Sequence, residues 1–275
     1  MQKYLLQIYK IFLPYYSFAS LSQRYPLIFL PTKTRNMRKI LLLCMLAPLL
    51  GTSQTKNIVS SFRVFPKVEK SLEFEKAFTA HAQKYHTGNW KWRVFEIQSG
   101  PDAGGFHVVE GPLSWEQFDS RGNLGAEHTA DWAKNVMILS ADRGTSSYAE
   151  FNEELSTVKI TDYSDKIILN HMLPMPGRIN AVLDMMKKMK KAWEAGNESV
   201  AVYEARSSGA PEIITSTRLK NGLKELDDSY RKPFPERFGS ANGDGSWNTF
   251  LDEYAKNVEK RWSEMLFYRA DLSSK

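Results

Sequence analysis

Two glutamates, Glu96 and Glu204, sit in two segments rich in β-branched and aromatic residues, and two histidines, His107 and His171, sit in strand-like segments of their own. A carboxylate on a buried strand face needs a partner or a raised pKa, which suits proton transfer or the grip on a polar substrate end. A histidine enclosed by strands can act as a general base or as an axial haem ligand. These four are the candidate catalytic residues. Strand alternation places Trp92, Val94 and Glu96, with Val200, Val202 and Glu204, on an interior face. The more apolar set, Phe95, Ile97, Ala201, Tyr203 and Ala205, then lies under helices, with Arg93 as the exception. The expected ligand contacts are Trp92, Val94, Val200 and Val202, joined by Arg63 and Tyr203. Arg63 occupies the place on its strand that His171 occupies on the matching one. Tyr203 joins them although alternation puts it on the helix side.

Each candidate has a plainer alternative. Both glutamates can sit at a rim, paired with arginine or backbone groups, and both histidines can be hydrogen-bonded core residues. His81 lies on an apolar helix stripe, so packing is its expected role. His86 and His128 have loop or helix-surface settings without metal-ligand spacing. The sequence contains no HExxH, no cysteine pair and no glycine-rich nucleotide loop. Asn242-Gly243-Asp244-Gly245-Ser246 resembles a calcium loop, but Trp247 stands where the sixth position must be glycine. It reads instead as a loop ending in Ser246 as a helix N-cap. Neither a metal nor a cofactor is expected.

Positioning these residues requires elements, and self-similarity supplies them. An offset of 108 aligns residues 64–119 with 172–227 without a gap. Gly88-Asn89 meets Gly196-Asn197, Val94-Phe95-Glu96 meets Val202-Tyr203-Glu204, and Asp119 meets Asp227. Phe74, Phe78, His81 and Tyr85 correspond to Val182, Met186, Met189 and Trp193, spaced as one helix face. Gly88 and Gly196 follow, where a left-handed residue commonly ends a helix. Strands are expected over 90–98 and 198–206, returning over 106–110 and 213–219, with short helices at 115–119 and 223–227. A second offset, 99, pairs Tyr163-Ser164-Asp165 with Trp262-Ser263-Glu264 and the strand 167–169 with 266–268. Helices carrying Tyr148, Phe151, Leu155 and Val158, and Trp247, Phe250, Leu251, Tyr254 and Val258, are expected ahead of them. The first half holds an extra helical stretch at 126–142. The last strand of the first half then runs almost directly into the first strand of the second, 171–174. No polar linker separates the halves, so they share one body.

The βαββα(β) order is similar to that of the dimeric α+β barrel superfamily, which includes antibiotic-biosynthesis-type monooxygenases, NIPSNAP-like proteins and tandem chlorite dismutase-like haem proteins. The resemblance is topological and covers roughly residues 57–271; no catalytic motif carries over. It implies an α+β fold of two ferredoxin-like repeats, 57–169 and 170–271, forming one intramolecular α+β barrel.

Charge excludes one class of partner. Residues 1–54 hold seven Lys or Arg and no acid; removing them leaves 30 basic residues against 31 acidic ones. A basic footprint for nucleic acid is absent. Met37-Arg38-Lys39, the apolar run 40–50 and Gly51-Thr52-Ser53-Gln54 read as a signal peptide over 37–54. The run is too short to span a bilayer. Cys44, the single cysteine, lies within it without the small preceding residue that lipidation needs. Residues 1–36 are expected to be a mis-set start ahead of Met37; the alternative is a longer leader or anchor using 4–13 and 26–30.

The expectation is therefore an exported protein, periplasmic or extracellular, free of the membrane once the signal is removed. Its barrel binds a small, largely apolar molecule. A cofactor-independent, oxygenase-like activity is what the resemblance implies. The rival readings are a binding or structural module with a packed lumen, and a haem-binding tandem barrel using His107 or His171.

Overall fold

The computed structural model describes residues 55–122 and 124–275. The leader readings on 1–36 and 37–54 fall outside them. Eight antiparallel strands close into a barrel. No helix of the described residues is long and apolar enough to cross a membrane.

Strand β1 (Ile58–Pro66) leads to helix α1 (Ser71–Tyr85), whose buried residues Phe74, Phe78, His81 and Ala82 recur at helical spacing. The hairpin β2 (Trp92–Ile97) and β3 (Phe106–Leu113) follows. Helix α2 (Trp115–Arg121) starts at a capping box in which Ser114 and Gln117 satisfy each other's backbone donors. Helix α3 (Ala126–Asp131) runs on through a π turn (Trp132–Val136) and a 3-10 turn (Met137–Leu139) into β4 (Ser140–Asn152). Then come β5 (Lys166–Pro174), α4 (Ile179–Ala195), β6 (Val200–Arg206) and β7 (Ile213–Arg218). The chain ends with α5 (Phe234–Asn242), α6 (Ser246–Asn257) and β8 (Val258–Tyr268).

Around the barrel the strands run β1-β3-β2-β8-β5-β7-β6-β4. The β2–β8 seam is short, with three residue pairs from Phe95↔Tyr268 to Ile97↔Leu266. The C-terminal segment lengthens it: the Arg269 amide donates to the Val94 carbonyl at 2.8 Å and the Ser274 amide to that of Trp92 at 3.1 Å. Two apolar clusters lie outside the barrel under helices. One joins Phe74 and Phe78 to Trp92, Val94, Phe106 and Val108. The other joins Val182, Met186 and Trp193 to Val200, Val202, Phe238 and Phe250. A third, Phe95, Ile97, Ile167, Leu169 and Leu266, fills part of the interior. Each such side chain contributes roughly 1.5–3 kcal/mol on burial.

Several expectations need correction. Residues 148–152 are strand, not helix: Tyr148, Phe151, Leu155 and Val158 have helical spacing, but residues 144–150 hydrogen-bond β1 along their length while 148–152 pair with β6, which closes the barrel. Tertiary pairing overrides local periodicity there. The helix ahead of that strand is the stretch taken as extra, now ending at Leu139. The offset of 99 therefore fails, because Trp262-Ser263-Glu264 lies within β8 whereas residues 163–165 form the loop before β5. Residues 167–169 and 171–174 are one strand, β5. Gly196 is not left-handed; Asn197 is, at φ 50°. A Cβ at Gly196 would lie 2.2 Å from the Arg237 guanidinium, which would have to move away from its bonds to the Ala192 carbonyl and Glu198. Gly245, at φ 75°, caps α6 in place of Ser246.

Candidate functional site

The interior face of the barrel is the reverse of the one alternation suggested. Trp92, Val94, Val200 and Val202 pack outward against helices, whereas Arg93, Phe95 and Tyr203 face a cavity of about 450 Å³. The helical layers carry aromatic and methionine stripes that demand large apolar partners from the sheet, and Arg93, set aside as an exception, marks the wetter side. Glu96 and Glu204 follow the outward parity. Glu96 accepts from Arg269 at 3.1 Å. Glu204 accepts from Asn152 Nδ2 at 2.9 Å and lies 3.4 Å from Arg206. Both are paired on the outward side, Glu96 with one arginine and Glu204 with another, and neither lines the cavity.

Arg63, His107 and His171 do line the cavity, as does Tyr203. Arg63 and His171 stand 108 residues apart on β1 and β5, and both reach one carboxylate, Glu264 of β8. Arg63 Nη1 donates to Glu264 Oε1 at 2.8 Å, its Nη2 to Oε2, and Nη1 also to Asp102. His171 places Nε2 3.2 Å from Glu264 Oε2 and Nδ1 2.6 Å from Glu212 Oε1. Ionised carboxylates only accept, so His171 donates from both nitrogens as an imidazolium. Trp262 stacks on it, centroids 4.6 Å apart and planes 1° from parallel, as suits a cation over an aromatic face.

Burial works to raise the Glu264 carboxyl, but the hydrogen bonds from His171 and Arg63 outweigh it and hold the pKa at about 2. Burial works to lower His171, and its two carboxylate partners reverse that and raise it. His107 is different. It faces Arg63 across β1–β3 and Phe95 across β2–β3. Its Nδ1 is buried with no partner among the described residues. Burial first, then the positive charge of Arg63 and His171, lowers it to about 3. It is a neutral base beside a charged chain.

The cavity has a second polar region. Arg93 stacks on Tyr163, its guanidinium carbon 3.7 Å from the ring centroid, and donates to the Gly111 carbonyl at 3.5 Å. Arg218 donates to the backbone carbonyls of Lys159, Ile160 and Asp162 and to Tyr203 Oη at 3.3 Å. The rest of the lining mixes apolar side chains, Val59, Val109, Ile167, Leu169 and Ile214, with hydroxyls such as Ser61, Ser147 and Ser216.

Sequence reading missed Asp102, Glu212, Glu264 and Trp262. Glu264 stands between Ser263 and Met265 in a strand that also carries Glu259, Lys260 and Arg261, so its surroundings in the sequence did not mark it as buried. Asp102 and Glu212 lie in turn segments, where acids are ordinary.

A solved structure of an anthrone oxidase-like protein superposes with a TM-score of 0.51 at 12% sequence identity, covering 78% of this chain and 92% of that one. A mutant chlorite dismutase from Candidatus Nitrospira defluvii gives 0.48 at 7% identity, covering 79% and 94%. A protein assigned as a monooxygenase from Lactobacillus acidophilus gives 0.44 at 6%, covering 80% and 96%. No protein-family model and no curated protein matches the sequence. At these identities the likeness is one of fold, that of the dimeric α+β barrel.

Proposed function

We propose that the barrel lumen binds one small, largely apolar molecule with a polar end, and that His107 removes a proton from it as the first step of a cofactor-independent oxidation by dioxygen. The observation that carries this reading is an imidazole with an unpartnered Nδ1, held neutral, on the wall of a 450 Å³ cavity. That volume lies in the range of small-molecule sites, roughly 300–1,000 Å³, and speaks against a packed lumen. Arg63 and the His171 imidazolium set positive charge where an oxyanion would develop. In the proposed reaction the oxyanion forming beside Arg63 and His171 offsets the two positive charges that, with burial, hold His107 low. An activated methylene loses a proton to His107 and its electrons to dioxygen. It becomes a carbonyl with one oxygen atom, and the other leaves as water with the two hydrogens. Haem ligation by His171 is disfavoured, since both its nitrogens are taken by carboxylates.

One solved structure of similar fold is named as that of an anthrone oxidase-like protein, so anthrone is a direct probe. Oxygen uptake with anthrone should saturate, fall on the order of 10²–10⁴-fold in His107→Leu, and survive in Glu96→Gln. Ala149→Trp, whose side chain would occupy the cavity, should abolish binding of an apolar anionic fluorophore while leaving the far-ultraviolet dichroism intact. Undiminished dye binding in Ala149→Trp would refute the lumen as the site.

We also propose that the chain is built from two diverged ferredoxin-like repeats, dividing between Asn152 and Lys166. In support, the bounds of β5 lie 108 residues beyond those of β1 at both ends, and β4-β1-β3-β2 and β8-β5-β7-β6 are the same order. Co-expressed as separate chains cut in that loop, the halves should copurify one to one. Halves that fold but ignore each other would refute a shared barrel.

A further inference from the structure

A second constellation lies outside the barrel, between α1, α3 and the outer face of β2–β3, and owes nothing to the lumen. His81 of α1, His86 just beyond that helix and His128 of α3 each offer a ring nitrogen, and all three atoms lie within 4.8 Å of one another. His81 and His86 are 1% and 0% exposed, and His128 is half-buried at the outer side.

The tautomer of His81 is set by the carboxylate behind its ring. His81 Nδ1 sits 2.7 Å from Asp131 Oδ2, so Nδ1 carries the proton and Nε2 keeps its lone pair. That Nε2 is buried without a partner among the described residues. His86 Nδ1 faces Glu110 Oε2 at 3.6 Å, beyond hydrogen-bond length, and is itself without a hydrogen-bond partner among the described residues. Glu110 accepts from Trp92 Nε1 at 3.2 Å and from Arg121 Nη2 at 3.3 Å, and Asp131 from Asn135 Nδ2 at 2.8 Å. Carboxylates placed behind ligating imidazoles are the usual support of a histidine metal site.

The spacing fits an ion as well. His86 Nε2 and His128 Nε2 are 3.3 Å apart. Two nitrogens bound at about 2.0–2.1 Å to one tetrahedral zinc stand about 3.3–3.4 Å apart. The walls are rigid: His86 stacks on Trp92 with centroids 3.4 Å apart, and Trp132 lies 5.0 Å from His81. Trp132 opens the π turn after α3, a distortion frequent at functional sites.

We infer that His81, His86 and His128 form a binding site for a divalent transition-metal ion, with zinc the fitting case and a fourth position left to solvent or an exogenous ligand. Imidazole donors suit zinc, and also copper, nickel and iron. Sequence spacing could not reveal it, because His128 is brought to the other two only by the packing of α3 on α1.

The test uses untagged protein stripped with chelator and titrated with zinc chloride by calorimetry, and with cobalt chloride by visible absorption. One ion per chain should bind, with a tetrahedral cobalt band, and zinc should raise the melting temperature. His128→Gln alters the half-exposed ligand and should leave the metal-free melting temperature near wild type while weakening zinc binding at least 100-fold. Asp131→Asn should weaken it about 10–100-fold. Absence of stoichiometric zinc binding in wild type, or equal affinity in a folded His128→Gln, would overturn the assignment.

Discussion

Glu264→Ala is expected to lower the free energy of unfolding by about 3–5 kcal/mol, a large part of the total for a domain of this kind. Glu264 is 1% exposed and is the shared acceptor of Arg63 and His171. Its removal leaves a guanidinium and an imidazolium facing each other in a closed interior, with Asp102 and Glu212 only at the two ends of the chain. The penalty is the uncompensated buried charge more than the lost bonds. Glu96→Gln should change stability by less than about 1 kcal/mol, because the Glu96 pair with Arg269 is a partly exposed ion pair. Urea denaturation of the two variants makes the comparison. Equal small effects would mean that the chain Asp102–Arg63–Glu264–His171–Glu212 does not hold the barrel interior together.

Acid should destabilise the protein steeply from about pH 6.5 downward. His107 ionises at 6.5 when unfolded and at about 3 when folded. Between those values the unfolded chain binds more protons, so stability rises with pH and is lost on acidification, by about 1.4 kcal/mol per unit of separation and several kcal/mol in all. Glu264 adds to the loss below 4.5, down to about 2, since its stabilisation is present only above the unfolded value. His171 acts in the opposite sense: raised by its carboxylates, it stabilises below 6.5 and loses that contribution as pH rises through its folded value. Three groups bear on His107: Arg63 and His171 oppose its protonation and Glu264 favours it. Denaturant midpoints of wild type and His107→Leu at pH 7 and pH 4 isolate its share. A variant that loses as much stability on acidification as wild type would show that His107 is not a neutral buried base.

Much of the fold was legible because amphipathic periodicity is a local property. The stripe Phe74, Phe78, His81 and its counterpart Val182, Met186, Trp193 had only one way to be buried in a helix. The hairpin strands around Val94 and Val202 followed from composition. The helix expected over 148–158 failed because its spacing was satisfied equally by a strand ending in a turn at Leu155, and β1 and β6 on either side decided between them. The site was half legible. Arg63, His107, His171 and Tyr203 reach the cavity, while Trp92, Val94, Val200, Val202, Glu96 and Glu204 face outward.

The sequence alone determined which residues share a strand face, because side chains alternate along any extended chain whatever it packs against. It determined equally the spacing of 108 residues that puts Arg63 and His171 at matching places. Which face turns inward was decided only when eight strands closed, since parity has no sign until something covers one side. The same holds for Glu264 between Arg63 and His171, and for His128 beside His81 and His86. Those partners come from distant segments, and only the packing of strands and helices sets the distances on which their chemistry depends.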